Sequence, residues 1–247
     1  MLRECVIDFE MSELDLKDKI LFTFDLHVHS EFSYDSYLKI PRILEMAKRR
    51  ELDGVAITDH GTIKGGLEGQ RLAKNKDLVV ICGAEIYSNC GHIIGLFLTE
   101  EIREFDALTV VDLIKSQGGI SILAHPFQKA SSLSTDLVRR VDGIESWNSR
   151  TRQTCNCQAA DTATKFKLAE VGGSDAHFSF EIARGITLTK VNDLRKAILH
   201  HETQASGICS NGFVHFLSFT AQMMKMRTLR PISEAASKLA IRNLKIT

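Results

Sequence analysis

Two histidines separated by one residue, in Asp25-Leu26-His27-Val28-His29-Ser30, close an apolar run over residues 21–26. In an extended chain residues i and i+2 point to the same side, so His27 and His29 offer two imidazole nitrogens to one point, as a metal ion requires. An isolated pair of this kind is weak evidence. The same residue types recur wherever an apolar run ends: Asp59-His60, Glu85, His125, and Asp175 with His177, while His92 stands at the start of a run. Each has an ordinary structural explanation when taken alone: a helix N-cap pair for Asp59-His60, a surface acid for Glu85, a turn before Pro126 for His125. Random placement would not put them beside apolar runs so regularly, and burying unpaired imidazoles and carboxylates is costly. Mixed nitrogen and oxygen donors suit manganese, iron or zinc better than calcium or magnesium.

The elements that must position these residues follow from periodicity. Short apolar runs alternate with longer amphipathic ones, the pattern of parallel strands joined by crossover helices. Strands are expected over 21–26, 53–58, 78–84, 92–98, 120–124, 142–147, 169–173 and 184–189. Pro41 opens a helix through Ile43, Leu44, Ala47 and Lys48, and further helices are expected over 64–74, 107–117, 152–167 and 192–201. Barrel enzymes place their chemistry at the C-terminal ends of strands, so ligands distant in sequence can converge on one mouth. Three segments are read: an N-terminal extension over 1–19, a barrel over 20–212, and a basic amphipathic helical piece over 213–247 packed on the barrel.

At 247 residues and 44% hydrophobic content the chain can bury one sizeable core. Its 31 basic and 31 acidic residues cancel, so the overall field gives no attraction to nucleic acid or membrane. No apolar run approaches a membrane span and the acidic start lacks a signal peptide's apolar stretch, which predicts a cytoplasmic protein. Six scattered cysteines without a CxxC pair suit reduced thiols.

The motifs DLHVHSEFSYDS, ITDHG, GAEI, HIIGLFL, ILAHP and GGSDAH, in this order over about residues 21 to 190, resemble the polymerase and histidinol phosphatase (PHP) family of metal-dependent phosphoesterases. The resemblance implies a distorted (β/α)7 TIM-like barrel and two or three divalent metal ions. Carried over motif by motif, His27, His29, Glu85 and Asp175 would hold one ion, and Glu85 would bridge to a second held also by His92 and His125. Asp35, His60 and His177 would hold the third. Asp35 departs from the pattern by standing six residues after His29 where many relatives have five.

Phosphate esters resist hydroxide because both are anionic; divalent cations neutralise the phosphoryl oxygens, generate hydroxide near neutral pH and align it. Asp25 and Asp59 are expected acceptors for imidazole N–H groups, unless they only cap or turn the chain. A fixed arginine would help as well. Arg150, in an Asn-x-Arg segment similar to the family's phosphate-binding one, and Arg184 are the catalytic arginines expected, with Glu85 as the bridging acid. Trp147 reads as a core residue or a stacking surface. Lys225, Arg227, Arg230, Lys238, Arg242 and Lys245 face only Glu234 in the tail, which would suit an oligonucleotide's phosphates. Phe213, Phe216, Phe219 and Met223 at helical spacing favour instead a helix docked on the barrel. The expected activity is hydrolysis of a small phosphorylated metabolite or nucleotide. The alternatives are trimming or dephosphorylation of oligonucleotides and nucleoside bisphosphates, or a metal-binding module whose catalysis has lapsed.

Overall fold

A computed structural model describes residues 21–74, 77–128, 133–210 and 212–225. The extension over 1–19 and the basic residues from Arg227 onward lie outside the described residues. The order is β1 (Phe22–Val28), α1 (Ile40–Arg49), β2 (Gly54–Ile57), α2 (Lys64–Ala73), β3 (Val79–Ser88), β4 (Gly91–Leu96), α3 (Ala107–Ser116), β5 (Ile120–Leu123) and α4 (Thr135–Val138). It continues with β6 (Gly143–Asn148), α5 (Gln153–Phe166), β7 (Ala169–Gly173), β8 (Gly185–Thr189), α6 (Leu194–Leu199) and β9 (Thr203–Gly207). Residues 213–225 are helical.

The strands form one sheet in the order β7-β6-β5-β4-β3-β2-β1-β8-β9. It curls into a nearly closed, distorted TIM-like barrel, as the motifs imply. Val28 bridges Ala176 just beyond β7, and the Thr187 hydroxyl exchanges hydrogen bonds with the backbone of Gly172, so the last barrel strand meets the first and β8. Gly173 permits that closure, since a Cβ there would lie 2.4 Å from the Cβ of His27.

The expected run of βα units breaks at one place. Only Asn89 and Cys90 separate β3 from β4, far too few for a crossover helix, so β4 turns back as an antiparallel hairpin partner of β3 and of β5. Gly91, at φ 108°, makes the tight return. The reversal puts the start of β4 at the end of the barrel where the other strands finish, and that is why His92 stands at a strand start.

Period-two alternation divides the apolar side chains. Ile81 joins Leu26, Ala56, Ile94, Ile122 and Val171 in a cluster drawn from across the sheet, with Leu194 and Ile198 of α6 packed against it. Its neighbours Val80 and Cys82 pack with residues of the surrounding helices instead. Along β3 the face that buries Ile81 presents Glu85 four residues later, so an apolar floor gives way to a polar mouth.

Candidate metal centre

Glu85 is the hub of the mouth. Only 2% exposed, it faces different imidazoles with its two oxygens. Oε1 meets His92 Nδ1 and, at 2.9 Å, His125 Nε2. Oε2 lies 3.4 Å from His27 Nε2, 3.3 Å from His29 Nε2 and 3.1 Å from His60 Nδ1. Asp175 Oδ1 closes the inner group at 3.7 Å from His27 and 3.3 Å from His29, whose Nε2 atoms are 3.1 Å apart. Donors each about 2.1 Å from a tetrahedral ion lie roughly 3.4 Å from one another. The donor set therefore fits a metal ion. Asp35 Oδ2, at 3.3 Å from His60 Nε2 and 3.0 Å from His177 Nε2, builds a third group within reach of His29. The nine expected ligands come together, Asp35 included despite its shifted spacing.

The second nitrogens of three histidines are fixed from behind. His27 Nδ1 meets Glu145 Oε1 at 2.9 Å, and His29 Nδ1 donates to the Ser33 hydroxyl at 3.0 Å. His177 Nδ1 donates to the carbonyl of Asp175 at 2.8 Å. Each bond leaves Nε2 turned to the cluster. Two of the ligands sit in the left-handed backbone region, His125 at φ 26° and Asp175 at φ 54°, a strain tolerated where the surroundings impose it.

Asp25 and Asp59 differ from expectation in a specific way. Asp25 accepts the backbone N–H groups of His27, Ser174 and Ala183 rather than an imidazole, tying β1 to the loops after β7. Burial lifts its pKa to about 6 despite these donors. Asp59 accepts from Ser30 and Ser33, and through Ser33 it orients His29. The acid that does bind an imidazole is Glu145, on β6, which also takes the backbone N–H of His125. Its signal was the lone carboxylate inside the apolar run Gly143-Ile144-Glu145-Ser146.

Electrostatics show how strongly the imidazoles and carboxylates of the cluster are coupled. Burial pulls His27 and His60 toward neutrality, yet the carboxylates around them win: Glu145, Asp175 and Glu85 hold His27 well above its usual value, and Glu85 and Asp35 bring His60 to about 10. Glu85 and Asp175 are driven well below the ordinary carboxylate range, burial being outweighed by the neighbouring histidines. Divalent cations bound to these donors would compete with the protons that the carboxylates favour on His27 and His60.

Arg150 lines the cleft over the cluster, but its guanidinium is engaged: Nε donates to Glu181 at 2.9 Å, and Nη2 to the Val214 carbonyl and the Ser218 hydroxyl. Arg184 is not brought to the cluster. The pairing of β8 with β9 sets the Cys209 carbonyl beside it, and Nη2 donates there at 2.9 Å. Trp147 lines a separate cavity with Ser206, Gly207 and Cys209. Besides Glu145, sequence reasoning missed His215, from the 213–225 helix, which lines the cleft together with Tyr34, Gln128 and seven of the expected ligands.

The PHP domain family model matches residues 25–178, and a PHP-associated model matches 154–203. An uncharacterised protein of Methanocaldococcus jannaschii is 36% identical over 137 residues, covering 50% of this chain and 80% of that protein. A phosphoribosyl 1,2-cyclic phosphate 1,2-diphosphodiesterase of Eggerthella lenta is 33% identical over 88 residues, 35% of this chain and 34% of that enzyme. Among solved structures, a two-domain protein from Bacteroides vulgatus described as containing a PHP-like metal-dependent phosphoesterase superposes with a TM-score of 0.64 at 22% identity. That match covers 76% of this chain and 65% of the Bacteroides chain, a likeness of fold.

Proposed function

The chain belongs to the PHP domain family, and on that premise we propose that it is a metal-dependent phosphoesterase acting on small phosphomonoesters. The observation that carries this reading is Glu85, whose two oxygens serve two separate groups of imidazoles. A carboxylate divided in this way can serve two cations at once. Bound divalent ions would neutralise the phosphoryl oxygens and supply hydroxide near neutral pH. His27, His29, Glu85 and Asp175 would hold one ion, Glu85 with His92 and His125 a second, and Asp35, His60 and His177 a third. Manganese, iron or zinc suits these donors.

The chain's own residues do the rest. The cleft over the cluster has a volume of about 140 Å3, room for a phosphoryl group. Tyr34 stacks on His60 with ring centres 4.6 Å apart, and burial with nearby carboxylates pushes its phenol up to about 12. It stays protonated and can donate to a phosphoryl oxygen. Next to the cleft, and sharing His92, His125 and Gln128 with it, is a cavity of about 460 Å3 lined also by Tyr87, Asn89, Cys90 and Ser134. Its described lining carries no carboxylate and no lysine or arginine, which favours an uncharged organic body behind the phosphate. A second anionic group would want a cation there. Lys225, one cation of the tail, already donates to the carbonyls of Glu31, Ser33 and Ser36.

The test is a screen of metal-supplemented protein against phosphomonoesters, phosphodiesters, nucleoside bisphosphates and short 5′-phosphorylated oligonucleotides. Fastest release of phosphate from monoesters is expected. Fastest turnover of oligonucleotides would replace the reading with an exonuclease. No turnover at full metal content would leave a binding module.

A further inference from the structure

We propose that His215 is a catalytic residue that protonates the leaving-group oxygen, an inference that rests on the phosphoesterase reading. His215 lines the cleft that holds the ligand cluster and belongs to none of the ligand groups. Its Nε2 lies 2.9 Å from the carbonyl oxygen of Arg150. A carbonyl only accepts, so Nε2 carries the hydrogen, and Nδ1 is the nitrogen left to exchange a proton with a substrate.

The ring is held in place by more than that bond. At the start of the 213–225 helix, Arg150 Nη2 donates to Val214 O at 3.2 Å and to Ser218 Oγ at 2.8 Å. Nine-tenths buried, Arg150 is itself fixed by Glu181, which also accepts the backbone N–H groups of His177 and Phe178. At residue 225 the Lys225 ammonium donates to three carbonyls of the loop that carries Asp35. The helix is pinned to the turn after β6 and to the loop that carries Asp35, and Glu181 links Arg150 onward to the loop of Asp175 and His177. Arg150 therefore acts as a positioning residue for His215.

An alkoxide is a poor leaving group, and a ligand imidazole cannot give up a proton while it binds metal. Tyr34 also faces the cleft, but a phenol is a far weaker acid than an imidazolium. In the step proposed, a water-derived oxygen forms the new bond to phosphorus and the bond from phosphorus to the leaving oxygen breaks with its electron pair on that oxygen. His215 acts as the doubly protonated imidazolium: its Nδ1 proton moves to that oxygen, the ring is left neutral with its hydrogen on Nε2, and solvent then reprotonates Nδ1. The charged groups sharing the cleft are Arg150, Asp35, Glu85 and Asp175, besides the ligand histidines.

His215→Asn should slow a simple alkyl phosphate by about 10² to 10³, within the range for general acid catalysis. Turnover of p-nitrophenyl phosphate, whose leaving group needs no proton, should fall less than about threefold in the same variant. Metal content should equal that of the unaltered protein. In the metal-free, unaltered chain at alkaline pH, ¹⁵N NMR should show the neutral His215 ring as the Nε2–H tautomer, a readout that does not depend on the variant folding. Equal losses on both esters, no loss on either, loss of metal, or the Nδ1–H tautomer would each overturn the assignment. Failure of the unaltered protein on both esters would sink the phosphoesterase reading itself, and this inference with it.

Discussion

His27 and His29 have no solvent exposure, whereas His92 and His60, reached through the same Glu85, keep 20% and 17% of their side-chain surface. The inner pair is backed by Glu145 and Ser33, stands on β1 and the turn just beyond it, and is crowded by Gly173 of β7. The outer pair is flanked by exposed aromatic rings, Tyr87 beside His92 and Tyr34 over His60. One half of the centre is thus part of the barrel's closure, and the other half faces the open cleft. Burial with fixed hydrogen bonds holds ligand geometry before any metal arrives, while exposure leaves room for exchange. The inner half should bind more tightly and matter to folding; the outer half should lose its ion first.

The sharpest way to break this comparison is Glu85→Gln, because both halves depend on its charge. Turnover of a phosphomonoester should fall by at least about 10³, with metal lost from both halves by elemental analysis. Near-normal rates would place the chemistry elsewhere. Glu145→Gln addresses the inner half alone: metal affinity there should weaken about 10- to 100-fold, the usual effect of losing an imidazole's partner. His92→Ala is the outer counterpart, expected to lose one ion per chain while the melting temperature of the metal-free protein stays put. If the two variants lose the same ion, the division into halves is wrong.

Gly173→Ala tests the link between the inner half and folding. The added Cβ would lie 2.4 Å from His27 Cβ and 2.8 Å from Glu145 Oε1, so strands must separate. A loss of about 1–3 kcal/mol in denaturant unfolding is expected even without metal, as for other overpacked cores.

The last effect is one of pH on the metal-free chain. His60 is raised in the fold to about 10, so its contribution to stability is complete below the unfolded value near 6.5 and disappears as pH rises toward 10. Glu85 and Asp175, depressed in the fold, contribute above the unfolded carboxylate value and lose that contribution as pH falls through their folded values. The metal-free protein should therefore melt at a lower temperature at pH 9.5 than at pH 6. Bound metal should flatten that slope, because ions then replace the protons. An unchanged slope on metal addition would argue against occupancy of the His60 group.

Much of this architecture was legible in the chain. The eight expected strands agree with β1 to β8 to within a few residues at each end, because apolar runs bounded by polar turns report on burial directly. Thr203–Gly207 escaped notice since its sequence, TQASG, is polar and becomes a strand only by pairing with β8. The four-residue α4, capped by Ser134, is too short to show a period. Lys225 shows a different limit: its charge is plain in the sequence, but its engagement with the carbonyls of 31–36 joins positions nearly 200 residues apart.

By itself the sequence singled out the nine candidate ligands, for a metal's demand for imidazole and carboxylate is local chemistry written into residue type and short spacing, and the resemblance of the motifs completed the set. It also implied the barrel that could gather them. Only the tertiary structure decided that β4 runs backwards to bring His92 to the mouth, that Glu145 rather than Asp25 holds His27, and that Arg150 is spent on a helix carrying His215. Those outcomes depend on which strand lies beside which once the sheet curls shut, and no single segment of the chain carries that information.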